Sequence, residues 1–460
     1  MKNYELKLTD ENILQTYLND SIGRNDDIFR FAYILNNIED SCSIAVEGDW
    51  GSGKTFFVKQ LKMFLDANNS WVINDEDKNN KIKSKLEHSR CSIKNQNIKP
   101  QLCIYYDAWE NDNDEDPILS LVYSIVSNIE SDYSLKKRDY LKFIGSILEF
   151  FNLGKWDKII DSFKSTSPLD EIKKFKDINN QIQEFLNTLL PEKADRLIIF
   201  IDELDRCKPS YAVKLLERIK HYFLNDKITF VFSVNINELQ HTIKRYYGND
   251  FNANRYLDRF FDLRISLPPV DMSLFYKSIN FKDTSYIFDS VIKAVINTYK
   301  FSLREITRYI TMCKMAGEKL AYNHKKDNLW FYDKENIQFI VIYVLPVILG
   351  LKMHNRAKYG DFINGQDFMP LVEVYKNLND SLIRRLICDN ETFDIEDTSR
   401  KFVTLEDKIK QLYEILFVCN DNYKNVKIGN YNFNRNLGEI LLRKSGLLSD
   451  DITLNNTDEE

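Results

Sequence analysis

Five short apolar runs punctuate the first 270 residues, at 43–46, 102–107, 197–201, 228–234 and 263–267. They are rich in β-branched and aromatic residues and nearly continuous rather than alternating, the pattern of strands covered on both faces. Between them apolar residues recur at helical spacing, as in Ile118, Leu121, Val122, Ile125, Val126 and Ile129. A further helix is expected over 209–223, where Pro209 suits a first turn. Strands alternating with helices predict an α/β fold: three layers, a five-stranded parallel sheet, and a ligand at the carboxyl ends of the strands.

The rest departs from that rhythm. Residues 1–40 read as short helices, with Asp26-Asp27 able to cap one through Ile28, Phe29 and Phe31. The polar stretch 68–100, rich in Asn, Lys, Asp and Ser, shows little apolar periodicity and predicts a surface excursion. Residues 111–190 read as a large helical insertion, with helical pieces around 143–151 and 178–190. From 271 strand signals fade. The chain then reads as helical over 271–325 and as an α-helical C-terminal domain over 326–460, fit for partner or oligomer contacts and ending in an acidic, frayed tail. Its longest apolar run, Phe339 to Leu351, contains Pro346 and is shorter than the ~20 residues of a spanning helix, so a buried core helix is expected.

The chemistry gathers where the strands end. Gly48-Asp49-Trp50-Gly51-Ser52-Gly53-Lys54-Thr55 fits G-x-x-x-x-G-K-[ST], between the first strand and a helical Phe56-Phe57-Val58. Such a turn presents backbone N–H groups, a helix N-terminus and a lysine to phosphate oxygens, and places the Thr55 hydroxyl for Mg²⁺. The strand 197–201 runs into Asp202 and Glu203. Asp202 suits Mg²⁺ held through water, and Glu203 suits a general base for the attacking water. Asn235, after the fourth strand, suits a turn.

Composition changes this picture little: 43% hydrophobic, 29% charged and a net charge of −6 give no global reason to expect nucleic-acid binding. Seven scattered cysteines without a C-x-x-C pair argue against a zinc or disulfide framework, and reduced thiols in the cytoplasm are the expectation.

Four segments together resemble the KAP family of P-loop NTPases: the tryptophan inside the loop, Tyr106-Asp107-Ala108-Trp109, Asp202-Glu203-Leu204-Asp205-Arg206-Cys207, and Tyr256-Leu257-Asp258-Arg259-Phe260-Phe261. The resemblance covers roughly residues 15–315. Many relatives carry transmembrane hairpins between the two nucleotide motifs; here that place is taken by a helical stretch around 141–163, whose apolar run 143–151 is too short and interrupted to span. The resemblance implies a KAP-type core over 1–270, a helical lid over 271–325, and the loop residues with Phe56 and Arg304 against the nucleotide. It implies that Arg259, ahead of Arg255, is an arginine finger supplied by a neighbouring subunit, and that Asn235 senses the γ-phosphate. Asp205 is left between positioning water or Mg²⁺ and pairing with Arg206.

The expected activity is Mg²⁺-dependent hydrolysis of ATP by an oligomerising conformational switch, slow or partner-stimulated. The resemblance points to bacterial anti-phage defence with a protein effector acting in trans. A nucleotide-stabilised scaffold and a nucleic-acid-dependent ATPase are the competing classes; basic pairs such as Arg384-Arg385 read as exposed helix faces.

Overall fold

The computed structural model describes residues 6–73, 75–89, 97–132, 194–222, 226–281, 287–322, 334–378, 405–421, 424–428 and 431–446. The chain divides into two compact units, one of Lys7–Asn280 and one drawn from Phe281 onward. The helical pieces expected at 143–151 and 178–190, Arg384-Arg385 and the acidic tail lie outside the described residues.

In the first unit the five expected strands are β1 (Cys42–Glu47), β2 (Gln101–Asp107), β3 (Arg196–Asp202), β4 (Ile228–Val234) and β5 (Leu263–Ser266). They form one sheet in the order β2-β3-β4-β1-β5, and every pairing is parallel. Strands β3 and β4 are buried at every position, which is why their sequences run apolar without alternation. The pleat still sorts side chains by parity. Ile44, Val46, Ile198, Phe200 and Val231 enter one core with α1 (Asp10–Leu18), α2 (Asn25–Asn36), α3 (Lys54–Ala67) and α4 (Glu76–Glu87). Leu197, Ile199, Ile201, Phe230 and Phe232 enter the other with α5 (Pro117–Asp132), α6 (Pro209–Tyr222) and α7 (Ile236–Tyr247). The result is three layers, with all carboxyl ends of the strands at one pole. Burying Leu197 to Ile201 contributes roughly 10 kcal/mol, enough to offset holding the Asp202 carboxylate buried behind them.

Four expectations are corrected. The polar stretch after 68 contains α4, whose N-cap Asp75 accepts from Asp77 N–H and whose Ile82 is buried; one apolar residue per turn was too sparse to read. Asp26 and Asp27 occupy the first turn of α2 without capping it, Arg24 being the N-cap residue. The second unit, although mostly helical, includes an antiparallel pair, Val426–Ile428 with Tyr431–Phe433, too short to leave an alternating pattern. Finally, the apolar helix is longer than expected: Glu335–His354 spans 20 residues and contains an 18-residue window of mean hydropathy 1.8, sufficient by length and composition to cross a membrane. Of that window 67% is buried inside the protein, as in a core helix, and Pro346 falls at the first turn of its second half, where a missing N–H costs nothing. The Tyr309 hydroxyl donates to the Pro346 carbonyl at 2.7 Å.

Candidate nucleotide site

Between the end of β1 at Glu47 and the start of α3 at Lys54 the chain reverses in a tight loop. Gly51 and Gly53 take φ of 77° and 92°, the left-handed region that a side chain disfavours. At Gly48 a Cβ would stand 2.8 Å from Ser52 Oγ. The loop is anchored on both sides of β1: Gly48 N–H donates to the Val234 carbonyl at 3.3 Å and Leu267 N–H to that of Glu47 at 2.8 Å. From the leader, Arg24 donates to the Ser52 carbonyl at 2.9 Å. Burial lowers this guanidinium to about 10, against the opposing pull of Asp27. The Lys54 ammonium folds across the loop, donating to the carbonyls of Gly48 at 2.7 Å and Asp49 at 3.2 Å. Its burial lowers the pKa, while Asp205, Asp202 and Glu203 pull it back up. Those three carboxylates therefore share the lysine's field.

They come from the end of β3 and the single 3₁₀ turn Leu204–Arg206. Asp202 is 1% exposed. Its Oδ1 accepts the Glu203 N–H at 3.0 Å and its Oδ2 the Tyr105 hydroxyl at 3.0 Å. Glu203 has φ of 58°, a strained conformation of the kind that collects at functional sites. Burial first, then Asp202, push its carboxyl up to about 7, with Arg206 opposing. Asp205 Oδ2 accepts the Trp50 indole N–H at 2.6 Å, tying the acidic strand end to the loop. Its Oδ1 is buried without a hydrogen-bond partner among the described residues.

The expected alternative for Asp205, an ion pair with Arg206, is not what forms. Arg206 Nε meets Glu203 Oε2 at 2.7 Å. The 3₁₀ geometry is the reason, since residues three apart eclipse on such a turn. The Arg206 guanidinium also lies over two indoles, 5.8 Å from the ring centre of Trp50 and 5.5 Å from that of Trp109.

The remaining predicted residues divide. Asp49 is exposed at the rim, and Thr55 and Phe56 sit partly exposed in the first turn of α3. Asn235 follows β4 at the same pole, but its Oδ1 is spent capping α7, accepting from the N–H groups of Asn237 and Glu238. Arg259 is elsewhere. It follows the short helix α8 (Ala253–Leu257) and lines a cavity of about 160 Å³ with Ser41, Cys42, Ser43 and Ile228, where β1 and β4 begin. β1 thus separates it from its own loop by roughly 20 Å. Arg255 is exposed on α8. Arg304 belongs to the second unit, exposed in the first turn of the helix Leu303–Tyr322 and on the same face as exposed Arg308.

Three residues beyond the predicted set hold the site: Arg24 behind the loop, Tyr105 on Asp202 and Arg206 on Glu203. Arg206 adjoins the acidic run and Tyr105 lies within an apolar strand, so position alone was their signal. The arrangement suits a Mg²⁺-bound triphosphate: a glycine-bent loop leading into a helix N-terminus, an orphaned Ser52 Oγ, one lysine and clustered carboxylates at one pole.

A family model described as the KAP family P-loop domain matches residues 24–317. No curated protein matches the chain. Among solved structures, the ORC2 protein of Aeropyrum pernix (ADPNP–ADP complexes) aligns over 92% of this chain and 94% of its own, at 12% identity and a TM-score of 0.31, too low for the likeness to carry an argument.

Proposed function

This chain belongs to the KAP family of P-loop domains, and on that premise we propose that it binds ATP with Mg²⁺ and hydrolyses it as an oligomerising switch. The observation that carries the reading is the phosphate loop with Lys54 tied by the Trp50–Asp205 hydrogen bond at 2.6 Å to the strand end that bears Asp202 and Glu203, at the carboxyl pole of the sheet. Thr55 and Asp202 would hold Mg²⁺, which supplies positive charge to the phosphoryl oxygens. The loop amides and Lys54 bind and orient the triphosphate. Glu203 takes a proton from the attacking water as its oxygen bonds to the γ-phosphorus. The bond to the β–γ bridging oxygen breaks and ADP leaves with the electron pair.

The oligomeric part of the proposal is supported by Arg259, which stands at the wrong end of β1 to serve its own loop and is exposed for use by a neighbour. We place the protein in the bacterial cytoplasm, in anti-phage defence, with a separate protein as effector. The family resemblance and a composition heavy in Asn, Lys and Ile support this setting.

The test is a pair of variants of the full chain. Glu203→Gln is expected to lose phosphate release by roughly 100-fold or more while still binding Mg·ATP. Lys54→Ala is expected to lose binding itself. Wild-type protein that gives no calorimetric heat with Mg·ATP would end the reading. Plaque counts indifferent to Lys54→Ala in cells carrying the gene would end the defence assignment alone.

A further inference from the structure

Glu203, the base of the proposed reaction, is not at liberty: its Oε2 lies 2.7 Å from Arg206 Nε. A guanidinium on that oxygen holds down the carboxylate's basicity toward a water, so the base is strengthened when the arginine is drawn off. The structure shows what holds Arg206 and what it is near. Among the described residues no backbone carbonyl accepts from it; its guanidinium lies over the faces of Trp50 and Trp109, exposed to 45% and 52%. A planar cation stacked on rings can turn its edge from one anion to another without leaving them. Trp50 is part of the phosphate loop and is fixed there by Asp205.

We propose that Arg206 is a catalytic arginine carried within the same chain: when ATP binds, its guanidinium leaves Glu203 for the γ-phosphate, and the freed carboxylate orients the water. This rests on the ATPase reading and adds its trigger. ADP has no γ-phosphate, so it leaves the Glu203–Arg206 pair closed. An arginine on the transferred group stabilises charge that grows in the transition state. The exchange thus couples recognition of the triphosphate to activation of the base. Bidentate, planar donation to phosphate is available to arginine and not to lysine, which explains why an ion-pair partner of this type stands here.

The experiment is calorimetric binding of two probes, Mg·ADP and a non-hydrolysable imido analogue of Mg·ATP, to the full-length protein, wild type and Arg206→Ala. Wild type is expected to prefer the analogue about tenfold or more. Arg206→Ala is expected to lose most of that preference, with ADP affinity changed less than about twofold. Tryptophan emission should change more with the analogue than with ADP, and this difference should vanish in Arg206→Ala. Arg206→Lys, which keeps the charge, serves if the alanine variant does not fold, and is expected to keep only part of the preference. Equal weakening of both nucleotides would overturn the inference, leaving Arg206 as a brace of the loop. So would an unchanged preference with faster hydrolysis, which would make it a restraint on Glu203 and nothing more. Wild type that binds neither nucleotide would take the ATPase reading down with it, whereas a preference indifferent to Arg206 removes this inference alone.

Discussion

Strand β3 opens on a buried arginine and runs out toward a half-buried one, and the two are held in opposite ways. Arg196, at the amino pole, donates to the carbonyls of Ile38 at 2.8 Å, Glu39 at 2.9 Å and Asp40 at 3.0 Å, and to Thr229 Oγ1 at 3.1 Å. Every partner is fixed: three belong to the turn that delivers the chain into β1 and the fourth to β4. Arg206, just past the carboxyl end, has one carboxylate and two indole faces. A buried cation saturated by main-chain oxygens has nowhere better to go and acts as structure. One held by side chains that other ligands can replace is free to act. The same contrast separates the poles as wholes, since the carboxyl pole concentrates Asp107, Asp202, Glu203 and Asp205, of which Asp107, Glu203 and Asp205 have pKa values raised chiefly by burial.

Arg259 breaks the symmetry of that picture, because it lies at the structural pole and yet is exposed. If it acts, it acts on another molecule. Arg259→Ala is expected to lower phosphate release by about 100-fold or more while leaving Mg·ATP binding intact. Mixing it with Lys54→Ala, itself inactive, is expected to restore part of the rate, because intact sites of one chain then meet intact arginines of the other. A mixture no more active than its components would return Arg259 to the amino pole as an ordinary surface residue.

Arg196→Ala sharpens the comparison from the other side. Losing four acceptor contacts is expected to destabilise the first unit by about 3 kcal/mol, seen as a melting midpoint lower by roughly 10 °C. The relative affinity for ATP and ADP should stay unchanged below that midpoint. An altered preference with an unaltered midpoint would contradict the division drawn between the two arginines.

The strands and the phosphate loop were legible because each rests on a local rule. A strand covered on both faces must be apolar throughout, as Leu197 to Ile201 are, and a loop that turns main-chain amides outward needs glycines where Gly51 and Gly53 stand. What was not legible depends on who meets whom. Nothing in the spacing says that Arg206 pairs with Glu203 rather than Asp205; that follows from a 3₁₀ turn. Asn235 was read as either a phosphate contact or a turn residue, and its oxygen went to the α7 cap. Helix α4 hid in a polar stretch because a single buried Ile82 anchors it, with its carbonyl accepting from the Tyr17 hydroxyl at 3.1 Å.

Tyr105 provides the smallest and most local test of how the carboxyl pole is built. Its hydroxyl, 3.0 Å from Asp202 Oδ2, is one of two donors that fix that carboxylate, the other being the Glu203 N–H on Oδ1. Phenylalanine keeps the ring, and with it the contact to the Lys59 ammonium 4.4 Å from the ring centre, so packing is spared. What changes is orientation: with one donor left, Asp202 rotates more freely. Groups that orient a metal's ligands typically matter by a factor of ten or more when removed. Here the ligand would act through water and keep a main-chain donor, so the effect should be smaller. Tyr105→Phe is therefore expected to raise the Mg²⁺ concentration for half-maximal hydrolysis about fivefold, with maximal rate at saturating Mg²⁺ nearly preserved. Were the maximal rate to fall while the Mg²⁺ dependence held still, Asp202 would have to be placed on the nucleophile's side of the reaction rather than the metal's.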